Sequence, residues 1–265
     1  MSFESPQAPP PESDLSLPAS DPNSLTENTR PRPSAAARVV ALLEVILCSD
    51  YPTQMALGAT FSARGWSPVA ADGSLSASYV FTLSIADTVF LLGLILLFLR
   101  AHGESPREIF FGQRAFRTEL LAGLPLTLAV FATVTAVLVA VQQLAPGLHT
   151  VVRNPMQDLI KTPLNVAMFA TIAVVAGGVR EEIQRGFLIH RFEGWLGGRT
   201  VGVIATSAAF GAGHFVQGVD ATLAIGLIGA LWAVTYLRRR SVVAPMVSHS
   251  CFNLLQIVQF LVIGS

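Results

Sequence analysis

Two adjacent carboxylates and a guanidinium stand close together in "VREEIQRGFLIHRF", residues 179–192, inside a chain that is otherwise strongly apolar. Glu181 and Arg185 are four residues apart, so on a helix they share one face, with the acid on the N-terminal side, the favourable orientation for such a pair. Phe210 opens and His214 closes "FGAGH", whose small residues allow close helix approach or let a helix end beside the imidazole. His249 and Asn253, in "HSCFN", are again four apart and share a helical face. A carboxylate in a poorly solvated pocket gains proton affinity and can take a proton from water. A nearby histidine can hold that water, and a second histidine with an asparagine can donate hydrogen bonds to a developing oxyanion. This is a hydrolase inventory with water as nucleophile. Ser248, Ser250 and Cys251 adjoin His249 but form no nucleophile motif.

Each group alone has a plainer reading. Paired charges commonly solvate a helix end, and FxxxH or HxxxN recur by chance. Glu44 and Asp87, also ionisable and inside apolar stretches, have no spaced partner and read as hydrogen-bonded packing residues.

The elements that must carry these side chains are membrane helices. About half of the 265 residues are hydrophobic and 13% are charged, against about a quarter charged in a soluble domain. The sequence therefore reads as an all-α, polytopic integral-membrane helix bundle. Seven spans are expected: Val39 to about Thr60, Tyr79 to Leu99, Leu120 to Val141, Pro163 to Val179, Val201 to Val216, Ala221 to Leu237 and Val242 to Ile263. Arginines cluster in alternate connections: 30, 32 and 38; 100, 107, 114 and 117; 180, 185, 191 and 199; and 238–240. Placing them inside satisfies the positive-inside rule, with the N-terminus cytoplasmic and the C-terminus outside. Residues 1–35 are Pro- and Ser-rich and read as a disordered tail before a transmembrane domain at 36–265. Net charge is zero, so nothing points to nucleic acid. The partners expected are the lipid bilayer and a peptide or membrane-protein substrate. Cys48 and Cys251, in apolar surroundings without a spacing motif, read as small hydrophobes.

Taken together and in this order, the three groups resemble the CAAX-prenyl-protease and bacteriocin-processing (CPBP, or Abi) family of intramembrane proteases. That family is marked by a diglutamate followed by an arginine, then Phe-x-x-x-His, then His-x-x-x-Asn or Asp, on successive membrane helices. The matches are Glu181, Glu182 and Arg185 with "RGFL" following, Phe210 and His214, and His249 and Asn253, within a core at about 160–263. The resemblance implies an endopeptidase of a bacterial cytoplasmic membrane, cleaving peptide or membrane-associated substrates, lipidated or not. Catalysis would rest on Glu181, Glu182, His214, His249 and Asn253, supported by Arg185 and Phe210. A cofactor is left open: none, or a divalent metal such as zinc held by His214, His249 and Glu181 or Glu182.

One departure stands out. The family has three residues between the second Glu and the Arg; here there are two, Ile183 and Gln184. If Arg185 anchors the register, Arg180 occupies the position of the family's first Glu, to which water activation is mainly assigned. Either a neighbouring Glu has taken over, the helix is locally adjusted after Gly177-Gly178, or catalysis is lost and the chain is a binding, immunity or scaffold protein of the same fold. On an undistorted helix Glu181 and Glu182 point about 100° apart, so one is expected as base and the other as partner of Arg185. Straight spans would also leave Glu181, His214 and His249 at different depths. Breaks at "GG" (177–178) and "GAG" (211–213), or a deep cavity, are expected to bring them together.

Overall fold

The computed structural model describes residue 1, residues 33–151 and residues 154–263. The tail expected at residues 1–35 lies almost wholly outside the described residues. The regular elements described are helices, with one isolated bridge between Val69 and Leu75 in the α2–α3 connection. They run α1 (Ala35–Leu47), α2 (Tyr51–Ala63), α3 (Ala77–Ala101), α4 (Pro106–Phe110), α5 (Phe116–Leu144), α6 (Pro163–Ile172), α7 (Glu181–Trp195), α8 (Gly198–Gly213), α9 (Val219–Arg239) and α10 (Val243–Ile263). Ser34, Ser76 and Thr162 cap α1, α3 and α6 by accepting from the amides of Ala37, Tyr79 and Asn165, which satisfies donors that a helix start leaves unpaired.

Five helical stretches are long and apolar enough to cross a membrane: Ala77–Ala101, Phe116–Leu144, Pro163–Trp195, Val219–Arg239 and Val243–Ile263. The chain is an integral membrane protein built as a helical bundle. Buried positions make up 39% of the α9 stretch and 17–22% of the other four, so α9 is the innermost. Its Ile228 and Trp232 pack with Val130 of α5 and Phe252 of α10. A second core joins Leu91, Ile95 and Leu99 of α3 to Phe110, Phe187, Ile189 and Tyr236. The large apolar side chains left outside, such as Leu97, Leu128 and Val262, form the surface that lipid would cover.

Two of the seven expected spans take another form. The first is not one helix: α1 ends at Leu47, Asp50 adopts φ 82°, and α2 begins with Pro52 in its first turn. Proline lacks an amide N–H and its ring clashes with the carbonyl four residues back, which favours a helix start at Pro52 over continuation from α1. The fifth, α8, has only 16 residues and stops at Gly213 beside His214.

The largest difference is at the fourth span, expected to end at Val179 with an arginine-bearing loop after it. The helix instead continues through the charged stretch to Trp195 as one 33-residue stretch. It is interrupted only by a wide-wound π segment, Ala173–Arg180, between α6 and α7. Nothing from Arg180 to Trp195 breaks a helix; the stop comes at Gly197 and Gly198, at φ 104° and 90°. Arg180, Arg185 and Arg191 are therefore buried helical residues, 4%, 4% and 1% exposed, and not loop charges. They leave the arginine tally on which the expected orientation rested.

Candidate active site

The π segment determines where the two glutamates point. A π turn holds more residues than an α turn and is frequently found at functional sites. Here it packs tightly on α10, and both glycines are needed for that approach. A Cβ on Gly178 would land on the Ser250 side chain, and one on Gly177 would come within 2.6 Å of Asn253 Nδ2. The "GG" pair thus permits close contact in a widened helix and does not break it. Asn253 Nδ2 donates to the carbonyl of Ala173, the first residue of the segment, at 3.1 Å.

Beyond the segment the glutamates separate. Glu182, 1% exposed, is ion-paired to Arg185 and accepts from His249 Nδ1 at 2.9 Å. Glu181 lines a cavity of about 680 Å³ together with Arg180, Arg185, Phe210, His214, Trp232, His249 and Asn253; Glu182 is not on its wall. One Glu181 oxygen is 3.8 Å from His249 Nε2 and the other 3.3 Å from Arg180 Nη2. The first separation exceeds a direct hydrogen bond. The Arg185 pair is made by Glu182, three residues away, and not by the Glu181 that spacing favours.

The depth problem disappears with the longer helix. By rise per residue, Glu181 lies about 20 Å from the Trp195 end of α7, and His214 about 24 Å from the start of α8, which follows it. The "GAG" glycines bring α8 to its end at that level, as expected of a break point. Gly211 also presses on α9, where a Cβ would meet the Thr222 carbonyl at 2.7 Å. His214 Nδ1 donates to the Phe210 carbonyl at 2.9 Å, leaving Nε2 for other partners.

Trp232, Asp50 and Thr53 around the site had no signal in sequence spacing, unlike Phe210 and Arg185. The Trp232 ring stacks on the His249 imidazole, centroids 3.9 Å apart and 20° between planes, and its Nε1 donates to Ser248 Oγ at 3.1 Å. Phe210 lies edge-on to both histidines and under the Arg185 guanidinium at 4.5 Å. Arg180 Nη1 reaches Asp50 at 2.6 Å and Asp87 at 3.6 Å, and Thr53 Oγ1 donates to Asp87 at 2.5 Å. Asp87, read as a packing residue, is thus part of an ion cluster behind the cavity. Glu44 likewise pairs with Arg191 and lies 2.6 Å from His102 Nε2.

The residues present do not fit a metal centre. Among the described residues no three His, Cys, Asp or Glu side chains converge as a ligand set.

The fold and the site define an integral membrane helix bundle with a glutamate, two histidines and an asparagine on the wall of one open cavity. Residues 162–255 match the family model described as Rce1-like, type II CAAX prenyl endopeptidase. The matched segment coincides with the one that carries the motifs and contains every candidate residue from Glu181 to Asn253. It is just over a third of the chain; Asp50 and Asp87 lie outside it. No curated protein and no solved structure matches the chain.

Proposed function

We propose that the chain is an intramembrane endopeptidase in which Glu181 activates water. The observation that carries this reading is the division of labour between adjacent acids: Glu182 is tied to Arg185 and His249 behind the wall, while Glu181 lies on the cavity surface. In the reaction, Glu181 takes a proton from water as the water oxygen bonds to the scissile carbonyl carbon. The carbonyl oxygen becomes an oxyanion, which accepts from protonated His249 Nε2 and from the Asn253 amide N–H that does not serve Ala173. His214 Nε2 orients the water. Collapse breaks the C–N bond, and Glu181 returns its proton to the leaving nitrogen. Arg185 holds Glu182, and Glu182 holds His249, so the site stays assembled.

The substrate is a peptide segment at the membrane, with or without a lipid. Apolar cavity residues such as Phe169, Ile172, Ile225 and Phe252 suit such a segment. Arginines outside the buried set, at 100, 107, 114, 117 and 238–240, favour a cytoplasmic position for that end of the bundle. A catalytically silent binding protein is the second reading, and Arg180 at the position of the family's first Glu favours it.

Profiling of membrane-protein termini in cells making wild type, Glu181→Gln, Glu182→Gln or His249→Ala separates the two. New termini present with wild type and absent with Glu181→Gln and His249→Ala, at equal protein levels, are the expected result. Loss of a general base lowers turnover by about 10²–10⁴-fold. Identical profiles for all four proteins would remove the peptidase reading and leave the silent one.

A further inference from the structure

We infer that Arg180, clamped from behind by Asp50 and Asp87, is a positioning residue for Glu181, so that the α1–α2 turn, outside the matched family segment, is part of the catalytic unit. The inference rests on the reading of Glu181 as base.

The geometry is a relay of charges through one planar group. Arg180 is 4% exposed, and a guanidinium is retained in such a place only when carboxylates meet it. Its Nη1 edge faces Asp50 and Asp87, from the α1–α2 turn and from the middle of α3, and its Nη2 faces Glu181. Because the guanidinium is flat and its donors are fixed relative to one another, fixing one edge fixes the other. The Glu181 carboxylate is then held through one oxygen by Arg180, while its other oxygen, 3.8 Å from His249 Nε2, stays open toward the cavity. Gln184 ties the same turn to α7: its Nε2 donates to the Cys48 carbonyl at 2.8 Å, and its Oε1 accepts from Arg180 at 3.5 Å.

Asp50 carries a second, independent mark of this role. It sits at the N-cap of α2, where aspartate ordinarily accepts from the helix amides, yet it makes no capping bond. Its Oδ1 goes to Arg180 and its Oδ2 accepts from Gln54 Nε2. It also holds φ at 82°, a conformation costly for a residue with a Cβ and one that clusters at functional sites. A turn meant only to join two helices would place glycine there and use the aspartate as a cap.

The test uses the full-length protein and a substrate whose new terminus disappears with Glu181→Gln. Arg180→Gln is expected to lower kcat about tenfold or more with KM within about threefold, the pattern of a group acting on the transition state and not on binding. Arg180→Lys recovers part of the loss. Asp50→Asn lowers kcat by a smaller factor, and adding it to Arg180→Gln lowers kcat no further, because the two act through one another. Where Arg180→Gln fails to accumulate, Arg180→Lys and Asp50→Asn alone carry the comparison. Full kcat in Arg180→Gln, or additive losses tracking the amount of folded protein, overturns the inference while the peptidase reading stands. Unchanged termini with Glu181→Gln overturn both.

Discussion

Arg180 and Arg191 lie in two parts of one long helix and are both nearly inaccessible, yet their surroundings differ in kind. Arg191 is gripped by Glu44 and Glu104, each of which also meets a half-exposed histidine, His102 or His190. Its guanidinium lies over the Phe187 and Trp195 rings, and it is not on the wall of the cavity that holds Glu181. Arg180 is ion-paired more loosely, to Asp50 and Asp87, and it forms part of a cavity wall and lends one edge to Glu181. Each arginine keeps one buried N–H without a partner, so an unsatisfied donor does not tell the two apart. What separates a structural charge cluster from a chemical one here is access to a cavity beside a carboxylate that is not fully engaged.

That contrast is broken most sharply at Arg191. Arg191→Met should destabilise the protein by about 3–5 kcal/mol, the effect of leaving a buried charge without its counter-charge. It should be read as a lower melting temperature in detergent, with turnover per folded molecule unchanged. Arg180→Gln strips Asp50 and Asp87 of their counter-charge and should also lower the melting temperature, but it alone should lower turnover per folded molecule; equal turnover per folded molecule in both variants would erase the distinction. Next comes the contact that shapes the site. Gly178→Ala places a methyl on Ser250 and should cost about 1–3 kcal/mol as overpacking. Ser250→Gly in the same chain should return part of the loss; no relief would show that the π segment does not depend on that contact.

The smallest effect is expected at the edge of the Arg191 cluster. Glu104 is partly desolvated, which raises its pKa, but hydrogen bonds from His190 and Arg191 outweigh this and hold it below the ordinary carboxylate range. Its contribution is therefore complete above that range and fades as pH falls through the lowered value. Glu104→Gln should cost about 1–2 kcal/mol near neutrality, and the gap from wild type should narrow in acid melts. A gap independent of pH would mean that Glu104 acts by packing alone.

Much of this was legible in the sequence, for local reasons. Apolar runs delimit α3, α5, α9 and α10 to within a few residues, because length and hydropathy decide a membrane helix. His214, His249 and Asn253 stood out as polar residues in apolar helices, and the structure brings all three to one cavity with Glu181. What escaped was whatever depended on distant partners. Arg180 and Arg191 read as loop charges because the acids that neutralise them, Asp50, Asp87, Glu44 and Glu104, lie roughly 90–150 residues away and leave no local pattern, whereas Arg185 is legible as a glutamate partner. The span was therefore ended at Val179, sixteen residues short of the helix end. Asp87 and Glu44 read as packing residues for the same reason. Which glutamate faces the cavity depended on winding, to which residue spacing on an ideal helix is blind.

That winding has a consequence for how such a chain tolerates change in length. A uniform helix is a rigid shaft: deleting one residue turns everything beyond it by about 100°, and a carboxylate that faced a cavity would face lipid. A stretch of wider pitch acts instead as an adjustable coupling, in which the phase of one half can be reset against the other by altering how many residues fill each turn. The apolar half from Pro163 and the charged half from Glu181 are in this sense separately indexed. A Glu–Arg spacing one residue shorter than the family's can then coexist with an acid still directed at the cavity, the lost residue being absorbed as a change of gauge in the middle of the helix.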